Sequence, residues 1–501
     1  MYGLRRVSLL VVLLSLVAFA VVMAQTPGSP TPTSTTDQAP AASPTPTPTP
    51  EPLSKKQKNA IRRILRDPIL KKANVSVLVK NVRTAETLFS KNPDTFCLPA
   101  STNKLVTGAA ALSILGPKYR FTTMVKADSR PNDYGVINGN LYLIGGGDPH
   151  LTMEQVWMIA HRLRIAGVHK VTGDLVGDDS FHDQVRFYED WGEQTRRAYH
   201  ASLGALSVNF NTLTLWVLPA AKVGEPARVT IEPMPPWMTL RGQIKTVEGA
   251  GAKYYLSLRN GTATVSGTVG RWARPDPTYH AVRDPLSFAL SAFRDAMRKE
   301  GIEIVGKNRA GLAPDKSKLI YEHESEQLSL ILRQLFRFSN NFTAEQIQRT
   351  IGAVKFGAPG TRKKGVRAEM EWLKSNDLAP PGVVVFDGSG LSRKNRQSAG
   401  SLVGILHHMA RRPEIFAEYL EAQPIAGVDG TLRYRFKRTN LIGRVRAKTG
   451  LLNGVISLAG YCYDSRNELY SFAVLINNYL PTVGVRGPQR LTEQLLDVLM
   501  Q

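Results

Sequence analysis

The segment PASTNKLVTGAAAL, residues 99–112, decides the fold prediction. Its small and apolar residues recur at helical spacing before a Gly-Pro pair, which predicts a helix that begins near Ser101 and ends near Leu115. Ser101 and Lys104 lie three residues apart on one face of such a helix, so the amine reaches the hydroxyl oxygen. This spacing predicts a nucleophile with a base one turn away.

A serine hydroxyl becomes a good nucleophile only when a neighbouring group takes its proton. The lysine amine can do this if burial or nearby positive charge lowers its pKa. The start of a helix also offers free backbone N–H groups that stabilise an oxyanion. A Ser-x-x-Lys pair alone is weak evidence in a long, lysine-rich chain, so the hypothesis depends on partner motifs further along the sequence.

Two later segments supply such partners. Ser339 and Asn341 are two residues apart, and they either point into one cleft or cap a helix, a position that both residue types favour. Near the C-terminus, residues 445–476 predict an antiparallel meander with Lys448-Thr449-Gly450 on its first strand. On that strand the side chains alternate between the two faces, and a glycine lets a ligand approach the backbone closely.

Length and composition limit the classes of protein. The 501 residues suffice for two or three domains, and a formal net charge of +23 attracts polyanions such as nucleic acid, anionic envelope polymers or membrane surfaces. A solvated basic surface without a dedicated partner is the alternative. Cys97 and Cys462 are the only cysteines, which excludes a disulfide scaffold and a four-thiolate metal site. They either form one bridge or stay as two buried thiols.

The N-terminal region predicts export. Residues 1–25 combine two arginines with a long apolar run, which is typical of a signal peptide or of an uncleaved membrane anchor. Residues 26–52 form a Pro/Thr-rich linker that cannot bury a core. Beyond it the pattern predicts a helix over 54–71, a hairpin before the Ser101 helix, a β-rich stretch over 121–279 and a further helix over 285–301.

The three motifs together resemble a known family. Ser-x-x-Lys on a helix, Ser-x-Asn and then Lys-Thr-Gly on a late strand, in that order, are similar to the penicillin-recognising serine enzymes. The long stretch between Lys104 and Ser339 narrows the resemblance to the D-alanyl-D-alanine carboxypeptidase/endopeptidase family, the class C low-molecular-mass penicillin-binding proteins. The resemblance covers residues 54–500, and it includes four flanking segments, residues 140–149, 173–175, 387–392 and 426–431.

The resemblance implies an α+β fold. Its catalytic domain would be β-lactamase/transpeptidase-like, an antiparallel sheet flanked by helices, split by an inserted pair of β-rich domains. The expected parts are a catalytic domain from residues 53–122 and 280–501, an inserted domain from 123–213 and 270–279, and a nested β domain from 214–269.

The resemblance also implies a serine DD-peptidase that acts on peptidoglycan stem peptides through an acyl-enzyme. It would release terminal D-Ala, cut D-Ala-mDAP cross-links, and be acylated by β-lactam antibiotics. Ser101 would attack the carbonyl, Lys104 would accept its proton and Ser339 would relay a proton to the leaving amine. The implied substrate-binding residues are Asn341, Lys448, Thr449, Gly450, Leu451 and Asp178, with Asp179 as an alternative to Asp178 at the amino end of a diaminopimelate-type side chain.

Several alternatives remain open at this point. A noncatalytic peptidoglycan-binding scaffold could keep the fold, and a β-lactamase would share the motifs but deacylate rapidly. No metal or cofactor is required, since the histidines show no ligand pattern. No nucleic-acid motif accompanies the basic charge, so nucleic acid is not expected as a partner. The expected location is the periplasm or cell envelope; association with the membrane surface and self-association stay undecided.

Overall fold

Helices and strands are interleaved along the chain in the computed structural model, which describes residues 52–234, 238–259, 261–480 and 484–501. The predicted export segment and almost all of the linker lie outside these residues. The α-helices are α1 (Lys55–Leu65), α2 (Lys104–Ile114), α3 (Met153–Ile165), α4 (Pro285–Lys299), α5 (Leu328–Phe338), α6 (Asn341–Phe356), α7 (Arg362–Ser375), α8 (Ala399–Ala410), α9 (Pro413–Ala422) and α10 (Arg486–Leu499).

The strands are β1 (Asn74–Asn81), β2 (Thr87–Lys91), β3 (Thr122–Ala127), β4 (Val136–Ile137), β5 (Leu141–Gly145), β6 (Lys170–Val171), β7 (Leu175–Asp178), β8 (Thr212–Leu218), β9 (Arg228–Glu232), β10 (Thr239–Val247), β11 (Ala252–Arg259), β12 (Thr262–Gly270), β13 (Thr278–Ala281), β14 (Glu303–Ile304), β15 (Asn308–Ala310), β16 (Lys318–Glu324), β17 (Val445–Leu452), β18 (Val455–Tyr463) and β19 (Leu469–Asn477). The hairpin, the C-terminal meander and the Ser101 helix occur where the sequence predicts them.

The first five-stranded sheet has the order β17-β18-β19-β1-β2, and every pair in it is antiparallel. Its side chains alternate between two apolar cores because successive residues of a strand point to opposite faces. On β19, Val474 faces the core shared with α1 and α10, whereas Leu475 faces the core that surrounds α2. The helix α2 is buried along almost its whole length, as its small apolar residues predict.

The second five-stranded sheet has the order β15-β7-β5-β3-β16 and builds the inserted part of the chain. The predicted domain boundary at residue 280 is wrong, because β15 and β16 pair with β7 and β3 of this sheet. The helix α4 also packs into its core. The chain therefore returns to the catalytic part only after β16, near α5. The periodicity of α4 predicts a helix with one buried face, but it does not indicate the domain to which that helix belongs.

Within the insertion, residues 212–281 hold two three-stranded sheets, β13-β8-β9 and β10-β12-β11. Their buried residues share one core with the second five-stranded sheet. The nested segment is thus continuous in packing with the rest of the insertion. The strand β13, expected to belong to the flanking inserted domain, pairs with β8 of the nested segment.

Cys97 and Cys462 are both buried and free, so the structure shows two separate thiols. Burial raises the pKa of the Cys97 thiol to about 11. Across the part of the chain that the structure describes, every helix is too short or too polar to span a bilayer.

Candidate active site

The predicted nucleophile, Ser101, lies where a short 3-10 helix, Ala100–Asn103, leads into α2. Ser101 belongs to this first turn, where backbone N–H groups have no intrahelical acceptor. The Lys104 amine lies 2.9 Å from the Ser101 hydroxyl oxygen, and the lysine side chain is fully buried. The predicted Ser-Lys pair is therefore brought together in the geometry that the three-residue spacing requires.

Two further acceptors surround the Lys104 amine. Its Nζ lies 2.8 Å from the side-chain carbonyl oxygen of Asn341 and 2.6 Å from the backbone carbonyl oxygen of Ser389. Burial lowers the pKa of Lys104 to about 7, although the negative charges of Asp387 and Glu345 act in the opposite direction. A lysine with such a pKa is substantially neutral at physiological pH and can accept a proton.

The Ser-x-Asn motif occupies the corner between α5 and α6. Ser339 ends α5 in the left-handed region, with φ 57°, and its side chain lines the same cleft as Ser101. The helix N-cap is Asn340, whose side chain accepts from the Thr343 N–H. Capping therefore uses the middle residue of the motif, and this leaves Ser339 and Asn341 for the cleft.

The Lys-Thr-Gly motif lies on β17, the edge strand next to the turn that carries Ser101. The buried Lys448 amine donates to the Ser339 hydroxyl at 2.7 Å and to the Thr449 carbonyl oxygen at 2.8 Å. Burial, and then the charge of Lys104, lowers the pKa of Lys448 well below its usual range. The positive charge of Lys104 therefore disfavours the protonated form of Lys448.

Gly450 also has a packing role that the sequence did not predict. A Cβ atom at this position would lie 2.0 Å from the Ser457 hydroxyl oxygen and 2.7 Å from the Pro99 carbonyl oxygen. The Ser457 hydroxyl itself donates to that Pro99 oxygen at 2.6 Å. The missing side chain therefore lets the turn that carries Ser101 rest directly on β17.

These elements enclose a cleft of about 630 Å³. The side chain of Leu451 is half exposed at its rim, and Thr449 bonds to Thr431 through their hydroxyl groups at 2.9 Å. The lining residues are Ser101, Tyr199, Ser339, Asn341, Gly390, Leu391, Thr431, Arg435, Thr449, Gly450, Leu451, Leu452 and Gln489. Each predicted site residue except Asp178 is therefore in the cleft or bonded to a residue of the cleft.

Asp178 lies apart, at the end of β7 in the insertion. One of its carboxylate oxygens accepts from the Ser180 N–H and hydroxyl, and the other accepts from the Ala313 N–H. The neighbouring Asp179 pairs with Arg186 and accepts from the Leu206 N–H. Neither carboxylate is among the groups that line the cleft.

Two buried carboxylates beside the site carry roles that the sequence did not predict. Asp387 accepts four bonds of 2.7 to 2.8 Å, from the N–H groups of Gly390 and Ser392 and from the side chains of Asn395 and Trp191. These bonds shape the loop that brings the Ser389 carbonyl to Lys104. In the sequence, the Asp-Gly-Ser-Gly-Leu-Ser segment that begins with Asp387 resembles the family, but this resemblance does not indicate what Asp387 does.

The second carboxylate, Glu345, is fully buried on α6 and accepts from the Ser389 N–H at 2.8 Å. Burial, and then the charge of Asp387, raises the pKa of Glu345 to about 7. It therefore holds the backbone of Ser389, the residue whose carbonyl oxygen faces Lys104. Over the described residues, no group of His, Cys, Asp or Glu side chains is arranged to hold a metal ion.

The fold and this constellation define a serine-type hydrolase with a transpeptidase-like catalytic part. The chain belongs to the D-Ala-D-Ala carboxypeptidase 3 (S13) family, which it matches over residues 57–496. It is 35% identical to a D-alanyl-D-alanine carboxypeptidase of Actinomadura sp. strain R39, over 86% of this chain and 81% of that protein. The protein is a serine-type D-Ala-D-Ala carboxypeptidase.

Solved structures agree with this assignment. The fold is similar to that of penicillin-binding protein 4 from Haemophilus influenzae, with a TM-score of 0.74 and 26% identity over 87% of this chain and 97% of that one. The same protein complexed with a novel β-lactam gives a TM-score of 0.71 over 88% of this chain and 99% of that one. The expected fold class, an α+β transpeptidase-like domain with an insertion, is thus confirmed.

Replacing Gly450 by alanine is expected to lower kcat/KM for D-Ala release by about 100-fold or more, since a displacement near 1 Å at a reacting group has that effect. The added methyl group has to push Pro99 and Ser457 away, and Ser101 moves with them. The matched control is Gly404→Ala on α8, where the nearest atom to the new methyl lies at 3.7 Å. Equal activity of the two variants on a soluble D-Ala-D-Ala peptide would contradict this account.

Proposed function

We propose that the enzyme works through a covalent acyl-enzyme on Ser101. The Ser101 oxygen attacks the carbonyl carbon of the penultimate D-Ala while its proton passes to the Lys104 amine. The bond to the terminal D-Ala then breaks, its nitrogen takes up a proton and an ester remains on Ser101. Water hydrolyses that ester, which frees the shortened peptide and the serine.

The arrangement of acceptors around Lys104 carries this proposal. A neutral amine has two N–H bonds and one lone pair. The Asn341 and Ser389 carbonyl oxygens can only accept, so they take the two N–H bonds. The lone pair is then directed at the Ser101 hydroxyl, the one neighbour among these three that can donate. The lowered pKa of Lys104 favours this neutral form.

The outer edge of β17 supports an oxyanion hole. The Ala447 N–H donates outward to the Pro424 carbonyl at 3.0 Å, and alternate residues of a strand direct their N–H groups to the same side. The Leu451 N–H therefore points to the edge beside Ser101. Together with the Ser101 N–H it forms a pair of donors, each contributing roughly 3 kcal/mol to stabilising the tetrahedral intermediate.

Four side chains complete the proposed cycle. The Ser339 hydroxyl, held by Lys448 at 2.7 Å, returns a proton to the leaving nitrogen. Lys448 supplies positive potential for the terminal carboxylate of the substrate, and Thr449 bonds to it. Asn341 bonds to the peptide backbone of the substrate while it holds Lys104.

The same acylation step suits two further reactions. A β-lactam would open its ring on Ser101 and stay bound, because deacylation of that ester is slow. Endopeptidase cleavage of D-Ala-mDAP cross-links needs only that the leaving group be larger, and the cleft of about 630 Å³ has the exposed side chains of Tyr199 and Leu451 among its lining residues. Asp178 remains a prediction from the resemblance.

We place the substrate and the enzyme in the cell envelope or periplasm. The export-type N-terminal segment and a peptidoglycan stem peptide as substrate support this location. The alternative left open by the sequence, a noncatalytic scaffold, would not need a desolvated lysine beside a serine, and membership of a carboxypeptidase family argues against it.

Intact-protein mass spectrometry after incubation with benzylpenicillin tests the proposal. Ring opening loses no atoms, so the protein should gain the full mass of one penicillin, located on the peptide that contains Ser101. A folded protein that releases D-Ala without ever forming this adduct would contradict the acyl-enzyme. A folded protein that does neither would favour the scaffold.

A further inference from the structure

Three arginines line a pocket of about 290 Å³ in the insertion, outside the catalytic cleft. Arg196 precedes a short helix, Arg259 ends β11 and Arg283 lies just before α4, so separate segments converge there. The one carboxylate among the lining residues is Asp284, which caps α4 by accepting from the Ser287 N–H at 3.1 Å. The lining thus holds three positive charges and one negative charge.

Among the described residues that line the pocket, only Asp284 opposes the charges of these arginines. In the described part of the chain none of the three forms an ion pair, and Arg196 donates only to the Leu256 carbonyl oxygen at 3.4 Å. Partial burial, and then the charges of Arg283 and Arg259, lower the pKa of Arg196. Apolar side chains form the remaining wall, and they strengthen electrostatic interactions there: Leu213, Met238, Leu258 and Phe288.

Shared lining residues connect this pocket to two neighbouring depressions that lead towards the catalytic cleft. Arg196 also lines a neighbouring depression with Tyr279, and Tyr279 lines the next one with Phe338, which directly precedes Ser339. The Tyr279 and Phe338 rings are 53% and 73% exposed, so both are available to contact a bound ligand.

The short segment from Arg196 to Tyr199 contacts residues that line the arginine pocket and residues that line the catalytic cleft. The Arg196 carbonyl accepts from the Ala281 N–H at 2.8 Å, and three residues later the Tyr199 carbonyl accepts from the Asn341 side chain at 3.1 Å. Three residues span at most about 11 Å. A single polymer chain can therefore occupy the catalytic cleft and the arginine pocket together.

We propose that the arginine pocket of Arg196, Arg259 and Arg283 is an exosite that binds an oxyanion, a carboxylate or phosphate group, of the wall polymer whose stem peptide occupies the catalytic cleft. This rests on the proposed function, because it assigns a polymeric substrate to the same enzyme. Guanidinium groups suit this task, since they form bidentate, charge-assisted hydrogen bonds with planar or tetrahedral oxyanions.

The test compares the full chain with two double variants. Arg259→Gln with Arg283→Gln removes two charges from the pocket, and Arg228→Gln with Arg241→Gln removes two exposed charges from β9 and β10 that do not line it. D-Ala release is measured on a soluble tripeptide and on insoluble sacculi at low salt. We expect all three proteins to agree within about twofold on the tripeptide, and the pocket variant to fall about tenfold on sacculi alone.

Equal activity of the two double variants on sacculi would overturn the exosite. Absence of tripeptide hydrolysis by the parent would instead overturn the proposed function. Calorimetric binding of tripolyphosphate gives a second readout that needs no catalysis: the parent should bind it about tenfold more tightly than the pocket variant, and equal binding would also refute the exosite.

A third substrate identifies the group that supplies the oxyanion: the two double variants are compared on sacculi from which phosphodiester-linked polymers have been stripped. If stripping removes the difference between the two double variants, the group bound is a phosphate of an attached polymer. If the difference persists, the group is a carboxylate of the peptidoglycan itself. Both outcomes require an occupied pocket.

Discussion

Replacing Ser101 by alanine is expected to lower the rate of D-Ala release by a factor on the order of 10⁴ or more. The Ser101 hydroxyl is the proposed nucleophile, and it is the one hydroxyl among the three groups bonded to the Lys104 amine, at 2.9 Å. The remaining rate would come from oriented binding and the oxyanion donors, which the substitution leaves in place. Single-turnover release of D-Ala from a soluble tripeptide measures the loss.

The structural effect of this substitution should be small. Ser101 is half-buried and loses one oxygen atom, so the melting temperature of the variant should stay close to that of the parent. Thr102, the next residue, offers the matched control: Thr102→Ser keeps the hydroxyl that donates to the Pro99 carbonyl at 2.7 Å. A Ser101→Ala variant that retains substantial turnover, freshly purified and free of parent protein, would exclude Ser101 as the nucleophile.

The site residues that can be predicted from the sequence are those identified by spacing within one helix or by alternation within one strand. Ser101 and Lys104 share a helical face through their spacing alone, and the Lys-Thr-Gly strand follows from alternation and turns. Asp387 and Glu345 could not be found this way. Their roles depend on a loop and a helix that meet around Ser389, and no spacing in the chain encodes that meeting.

The same limit explains the wrong domain boundary. The amphipathic pattern of α4 predicts that one face of the helix is buried, but it does not predict which sheet that face packs against. The strand β16 pairs with β3, almost two hundred positions earlier in the numbering, and only this pairing assigns residues up to Glu324 to the insertion. Likewise the sequence favours Ser or Asn as a helix cap, and the choice of Asn340 over its neighbours is made by the backbone turn at Ser339.

Replacing Lys104 by methionine or by arginine separates two functions of this residue. Methionine has a similar length and no basic nitrogen, and the loss of a general base lowers rates by a factor on the order of 10³. Arginine keeps a positive charge but stays protonated in proteins and cannot accept the serine proton. If Lys104 is the base, both variants lose activity by a factor on the order of 10³. If it supplies only positive charge, the arginine variant keeps much of the activity.

The pH dependence of kcat/KM is a second test of whether Lys104 acts as the base. Because burial lowers the pKa of Lys104 to about 7, the neutral amine is lost as the pH falls below that value, and activity should decrease tenfold per pH unit there. This decrease at low pH should be absent from any residual activity of the Lys104→Met variant, since the methionine side chain does not titrate. A parent enzyme whose kcat/KM is flat between about pH 5 and 8 would show that Lys104 does not enter the reaction as a free base.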